Sequence, residues 1–342
     1  MTDLHSLPAP AYRRVTITDV ARTAGVSVAT VSKVINGRYG VAARTTERVQ
    51  QVIDELGYES SLVARSLRSH RTNVIGILVA EFEPFSTEIL KGTSHAITGS
   101  GYELLAYSGG GRAGEDVGWE RRYLSRLSGT LIDGAILVTP TVVSTGGSVP
   151  VVAIDPHAGP ADMPTVDADN FAGALLATEH LLRLGHRRIG FLGGRPDLES
   201  ARLREQGYRA AHERAGLTAD PALMRVGGYQ RHLAVGPARE LLSLPEPPTA
   251  IFAANDLSAL GTMDVARELG LSVPQDLSVV GFDNVPESAL TDPPLTTVNQ
   301  PMQEMGSRAV DLLIRLMAST DGCSTHVRLP TALVERGSTR AL

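Results

Sequence analysis

From residue 73 onward the chain alternates short apolar runs with helical patterns, and this alternation constrains the fold more than any other feature. Residues 74–80, 103–107, 135–139 and 151–154 read as buried strands, and 189–192, 250–253 and 277–282 form a second set. Helical spacing of apolar residues fills 172–184, 202–215, 235–244 and 257–269. Strands separated by helices pair parallel, with helices on both faces of the sheet. Two strand sets over about 270 residues are more than one hydrophobic core holds. The expected class is therefore α/β, with two doubly wound parallel-sheet subdomains. Glycine- and serine-rich stretches at 109–114 and 144–148 read as loops.

Residues 16–36 carry another signature. Val20, Ala21 and Ala24 lie at helical spacing and give a first helix one small apolar face. Thr16 suits its N-cap, and Asp19 three places on completes a capping-box-like start. Gly25 supplies the turn, where a side chain would resist a positive φ. Ser27 can cap a second helix, in which Val31, Val34 and Ile35 point inward. Val28, Ala29, Ser32, Lys33 and Asn36 then face outward. Small and hydrogen-bonding groups at a helix N-terminus suit a major groove, so the stretch reads as a helix-turn-helix DNA reader. A third helix is expected over 44–56, with Gly57 ending it.

Charge supports this. Residues 12–72 hold ten of the 32 Lys/Arg and five of the 37 Asp/Glu, which leaves +5 there and −10 over the remainder. A basic head on an acidic body is the footprint of a DNA-binding module fused to a sensor.

With Val41-Ala42-Ala43-Arg44-Thr45, Glu55-Leu56-Gly57-Tyr58 and Ala64-Arg65-Ser66-Leu67, the run 16–36 resembles the LacI/GalR family of bacterial transcription regulators, and the resemblance continues to about residue 338. It implies DNA contacts from Thr16, Val28, Ala29, Thr30, Ser32, Lys33, Asn36 and Thr45, and from a hinge helix carrying Ala64, Arg65, Leu67 and Arg68. In that family a hinge leucine wedges into the minor groove, unstacking one base step; Leu67 is the match. Leu67 also suits a linker that merely packs on the head. Ser61 stands where the family usually has Asn, which weakens the hinge cap.

The resemblance also implies a body like that of periplasmic sugar-binding proteins, crossed by the chain near 163–167, 295–300 and 328–330. The expected parts are a disordered tail 1–13, a DNA-binding domain 14–59, a hinge 60–71, and a core 72–342. The core divides into one subdomain of 72–164 with 299–327 and another of 165–298 with 328–342. Some relatives continue into a heptad tail that makes tetramers; no such pattern follows residue 338, so a homodimer is expected.

Enzymatic signatures are missing. The only lysines are Lys33 and Lys91, and no phosphate loop or Gly-x-Ser-x-Gly elbow occurs. His180 and His186 are six apart without metal-ligand spacing, and His186-Arg187-Arg188 reads as a surface entry to a strand. Gly190 to Gly194 lacks the dinucleotide spacing. No enzyme, cofactor or metal is expected. Cys323 is the single cysteine and reads as an inert thiol. No run approaches 18 apolar residues, and Met1 to Tyr12 is no signal peptide, which points to the cytoplasm and away from a membrane.

Ligands of doubly wound sheets bind beyond the C-terminal ends of strands. Phe85, Arg202, Tyr229, Asn255, Asp256, Asp283 and Gln300 fall there and match effector-contacting positions of the family. A carboxylate accepts from sugar hydroxyls, an arginine donates a fork, and an aromatic covers the ring. Asn255 and Asp256 also suit a helix cap, and Arg202 a surface charge. The family's sugar sensors often place Trp where Tyr229 stands. The arginine-rich, lysine-poor texture is similar to that of high-GC actinobacterial regulators of plant-oligosaccharide use, which implies xylobiose or a related β-linked sugar. The expected function is a repressor released from an inverted-repeat operator by a sugar. A corepressor-dependent regulator is the alternative, and a solute-binding protein is disfavoured by the basic head.

Overall fold

The computed structural model describes residues 15–35, 37–58, 71–110, 117–142, 149–160, 163–318 and 325–342. The chain divides into two compact units at 70/71. The expectations for the tail, the hinge, Asn36, Ala64, Arg65, Leu67, Arg68 and Cys323 lie outside the described residues.

The first unit holds α1 (Ile17–Ala24), α2 (Val28–Ile35) and α3 (Ala43–Leu56). Thr16 caps α1: its Oγ1 accepts from Asp19 N at 3.3 Å, and Asp19 Oδ2 accepts from Thr16 N at 3.0 Å. Such a cap contributes about 1 kcal/mol. Gly25 turns the chain at φ 64° and Gly57 stops α3 at φ 59°. Val20, Ala21, Ala24, Val31, Val49 and Val52 form the core, with Val34 and Ile35 half-buried at its edge.

The second unit contains two six-stranded sheets. The first runs β11-β5-β4-β3-β1-β2, with β1 Val74–Val79, β2 Glu103–Ser108, β3 Gly134–Val138, β4 Val151–Ile154, β5 Thr165–Ala168 and β11 His326–Leu329, all parallel. The second runs β12-β10-β9-β8-β6-β7, with β6 Ile189–Gly193, β7 Met224–Val226, β8 Ala250–Ala253, β9 Ser278–Asp283, β10 Thr296–Asn299 and β12 Ala332–Val334. Only β12 is antiparallel to its neighbour in this sheet.

The helices are α4 (Pro84–Ile97), α5 (Trp119–Leu127), α6 (Asn170–Arg183), α7 (Glu199–Arg214), α8 (Arg231–Leu242), α9 (Asp256–Glu268) and α10 (Met302–Ala318). The second sheet shows why its strands read as continuous apolar runs. Phe191, Phe252, Val280 and Phe282 pack on one face with Tyr208 of α7, while Leu192, Ile251, Ala253 and Val279 pack on the other with α8 and α9. Sheets covered on both faces lose the polar alternation of a half-exposed strand. In the first lobe, α4 and α10 meet through glycine: a Cβ on Gly92 would stand 1.9 Å from the Gln303 carbonyl oxygen.

The boundary expected at 164/165 is displaced. Residues 165–168 form β5, which pairs with β4 and β11, so the chain leaves the first sheet only after Ala168. Likewise Arg328 and Leu329 belong to β11 of the first sheet. Four-residue strands carry too few residues to show a pattern, so these positions resemble crossovers. His186 is also corrected: it is buried at 1% exposure, bonded to Thr249 Oγ1, Ser278 Oγ and the Arg340 carbonyl.

Candidate functional site

On the first unit, the start of α2 presents an open face. Ser27 Oγ accepts from Thr30 N at 3.1 Å, which fixes the helix start. Val28 is 41% exposed at the first position of α2. Thr16, Ala29 and Lys33 are exposed, and Thr30, Ser32 and Thr45 half-buried. Of the expected outward set, Val28, Ala29 and Lys33 are exposed and Ser32 half-buried, and Asn36 lies outside the described residues.

On the second unit, a cleft of about 220 Å³ lies between the two sheets. Its walls are the C-terminal ends of strands, the position doubly wound sheets offer to ligands. The first lobe contributes Glu81, Glu83 and Phe85 after β1, Thr139 and Thr141 after β3, Asp155 and His157 after β4, and Trp119 of α5. The second contributes Arg195 and Leu198 after β6, Ser200 and Arg204 of α7, Tyr229 after β7, Asn255 after β8, and Asp283 at the end of β9.

Backbone strain gathers here. Thr139, Asp155, Tyr229 and Asp283 all have positive φ (49°, 48°, 66° and 112°). Non-glycine residues in that region cost of order 1–3 kcal/mol each and persist where surrounding structure forces them.

Arg204 is the centre of the second lobe's wall. It is buried at 3% exposure. Its Nε donates to Asn170 Oδ1 at 2.8 Å, and its Nη1 donates to the Ala254 carbonyl and lies 3.4 Å from Asp283 Oδ1. Its carbon sits 3.8 Å from the Phe282 ring centroid and 5.5 Å from that of Tyr229. Gln300 Nε2 donates to Asp283 Oδ1 at 2.6 Å. Burial pushes Asp283 up to about 6 despite Arg204 and Gln300, which hold it down. Asp155 is likewise pushed to about 6 by burial, against the pull of Arg204. Glu83 rises to about 7, from burial first and then from the charges of Asp283 and Glu81. The Tyr229 hydroxyl, pushed up to about 12 by burial, has no well-formed hydrogen bond among the described residues.

Of the expected effector residues, Phe85, Tyr229, Asn255 and Asp283 line the cleft. Asn255 does two jobs, capping α9 through Ser258 N at 2.9 Å and donating to the Tyr229 carbonyl at 2.9 Å. Gln300 stands behind Asp283 and orients it. Asp256 is fully buried away from the lining; it accepts from Val285 N and Thr297 Oγ1, and burial raises it well above the ordinary value.

Arg202 is corrected. Its side chain is 43% exposed and bonds Glu199 and the carbonyls of Pro196 and Asp197. Two residues along a helix turn a side chain by about 200°, so Arg202 and Arg204 face opposite ways. Of Arg202-Leu203-Arg204, it is Arg204 that lines the cleft. Sequence reasoning also missed Asp155, Glu83 and Trp119; the end-of-strand rule reaches Asp155 and Glu83.

The comparisons agree with this architecture. Residues 16–61 match the model of bacterial regulatory proteins of the lacI family, and 178–339 that of the periplasmic binding protein-like domain. The ribose operon repressor of Escherichia coli K12 is 36% identical over 333 residues, covering 94% of this chain and 99% of the relative. The repressor CytR of the same strain is 33% identical, covering 96% and 97%. A solved lac repressor dimer bound to operator and an anti-inducer superposes with TM-score 0.81 at 29% identity over 96% of this chain and all of the other. A complex of the regulator CelR with cellobiose gives 0.70 at 33% identity over 95% of this chain and all of the other. No helix among the described residues is long and apolar enough to cross a membrane. The chain belongs to the LacI family of DNA-binding transcriptional repressors.

Proposed function

We propose that the cleft is an effector site for a sugar, and that its occupancy controls how the head holds an inverted-repeat operator. The observation that carries this is the pairing, in one cleft, of aromatic faces with a charge-assisted polar set. Phe85, Trp119 and Tyr229 can cover a ring, while Arg204, Asp283, Asp155 and Asn255 offer donors and acceptors for hydroxyls. The walls come from two lobes, so a ligand touching both biases their relative position, and that bias is the coupling free energy between sites. In relatives, cellobiose and an operator-bound dimer are on record, which supports a sugar, an operator and a homodimer here. We assign the protein to the cytoplasm, with its DNA. The specific effector we put forward is xylobiose or a related β-linked sugar, acting as inducer.

The DNA-reading set is Val28 and Ala29 against base edges, with Thr16, Thr30, Ser32, Lys33, Asn36 and Thr45 as further contacts. Ala64, Arg65, Leu67 and Arg68 belong to the minor-groove segment. The test is a panel of neutral sugars, including xylobiose, ribose and cellobiose, read by thermal shift and by release of operator DNA. Release by one sugar supports the reading. Tighter operator binding on addition would make it a corepressor system, and no response to any sugar would overturn it.

A further inference from the structure

Charge within the cleft is unevenly matched. Among the described residues four carboxylates line it: Glu81, Glu83, Asp155 and Asp283. Two guanidiniums face them, and each already holds a carboxylate. Arg195 grips Asp197 through Nε and Nη2, at 3.1 and 2.6 Å. Arg204 reaches Asp283 and also donates to Asn170 and the Ala254 carbonyl. Asp155 lies in the field of Arg204 and has Ser200 and Asn170 as hydrogen-bond partners. Glu83 differs. The charges that bear on it among the described residues are Asp283 across the cleft and Glu81 beside it, both of its own sign.

Its position matters as much as its charge. Glu83 is the N-cap residue of the 14-residue α4. A helix N-terminus is the ready place for an anionic ligand group. Here a carboxylate of the chain occupies that place, at the mouth of β1, and each of the cleft's two described arginines already holds a carboxylate.

We propose that Glu83 sets the charge class of the effector: sugars that are uncharged or carry an amine are admitted, and those carrying phosphate or carboxylate are turned away. This rests on the reading of the cleft as a sugar site. A half-buried carboxylate is poorly screened and repels a second anion strongly. The same carboxylate accepts a hydrogen from a hydroxyl, and more strongly from an ammonium group.

Trp119 is the only tryptophan in the chain and lines the cleft, so its fluorescence reports occupancy. Whole protein and the Glu83→Gln variant are titrated at pH 8 with xylobiose, cellobiose, ribose, ribose 5-phosphate, glucose, glucosamine, glucose 6-phosphate and glucuronate. Glu83→Asn, which keeps a good helix cap, is the second variant should Gln fold poorly. The expected result is binding by neutral or amine-bearing members, with phosphate and carboxylate counterparts weaker by about tenfold or more. The variant narrows that gap. Wild-type protein binding an anionic sugar as tightly as its neutral counterpart overturns the inference and leaves the sugar reading standing. An unchanged gap in both variants overturns the role of Glu83. Failure of every sugar, of any charge, removes the sugar reading and the inference together.

Discussion

The Arg204 guanidinium lies 3.4 Å from the Asp283 carboxylate, which joins α7 to the end of β9 inside the protein. Both groups are nearly inaccessible, at 4% and 7% side-chain exposure. Removing one partner strands the other's charge.

Arg204→Ala therefore costs about 3–5 kcal/mol of stability and abolishes the effector response. Arg202→Ala, two residues away and exposed, changes stability by about 0.5 kcal/mol or less and keeps the response. Urea unfolding and effector titration of the two variants side by side make the comparison. Equal behaviour would mean the cleft is placed wrongly.

The cleft carboxylates make stability fall with rising pH. Glu83 goes from 4.5 to about 7, and Asp155 and Asp283 from 3.8 to about 6. A carboxyl raised on folding favours the neutral form, so its contribution is complete below the unfolded value and is lost as pH rises through the folded value. Glu83→Gln removes one such group. Unfolding free energy, measured from about pH 4.5 to about pH 8, should fall more for wild type than for the variant. Parallel curves would contradict the burial of Glu83.

His186 has the opposite slope. Burial lowers its pKa below 6.5, so stability present at neutral pH is lost as pH falls below that value. Charging the ring disturbs contacts to Thr249, Ser278 and the Arg340 carbonyl. His186→Gln should be less stable at pH 7 and show a shallower loss on acidification, as followed by thermal melting.

Operator binding should depend steeply on salt, falling by roughly a thousandfold or more from about 50 to about 200 mM for a dimer with six or more phosphate contacts. Ala29→Gln should alter base preference at one position per half-site, because the exposed start of α2 is the surface proposed to meet base edges. Asn36→Ala should weaken all sequences alike. Binding selections on randomised operators separate the two effects.

What the sequence showed depended on how much repetition each feature carried. Val20, Ala21 and Ala24 repeat at helical spacing, and the head's core follows directly. Central strands β1, β3, β8 and β9 are apolar throughout because both faces are covered, so they stood out. The short strands β5, β10, β11 and β12 have three or four residues of mixed polarity and leave no pattern, and the first three coincide with the expected crossings. Phe85, Tyr229, Asn255 and Asp283 were legible from strand ends. The choice between Arg202 and Arg204 was not, since it turns on which side of α7 meets the sheet. Glu83 follows β1 as Phe85 does, so the same strand-end rule reaches it; what the sequence does not show is its burial and the facing charge of Asp283, 200 positions away.

The edges of the two sheets have a consequence for how the chain is made. β5 waits for β11, its partner 161 residues later through Asp167 and Arg328, and β10 waits for β12. Ser338 Oγ closes on Val279 and Thr296 later still. Neither lobe can be completed in the order it leaves the ribosome; both remain open-edged until the last few dozen residues emerge, and then close together. Such late, long-range closure is slow, and unpaired edges are exposed meanwhile. A truncation from residue 326 onward removes β11 and β12 together and would therefore cost both lobes, including the one whose sequence is almost entirely upstream.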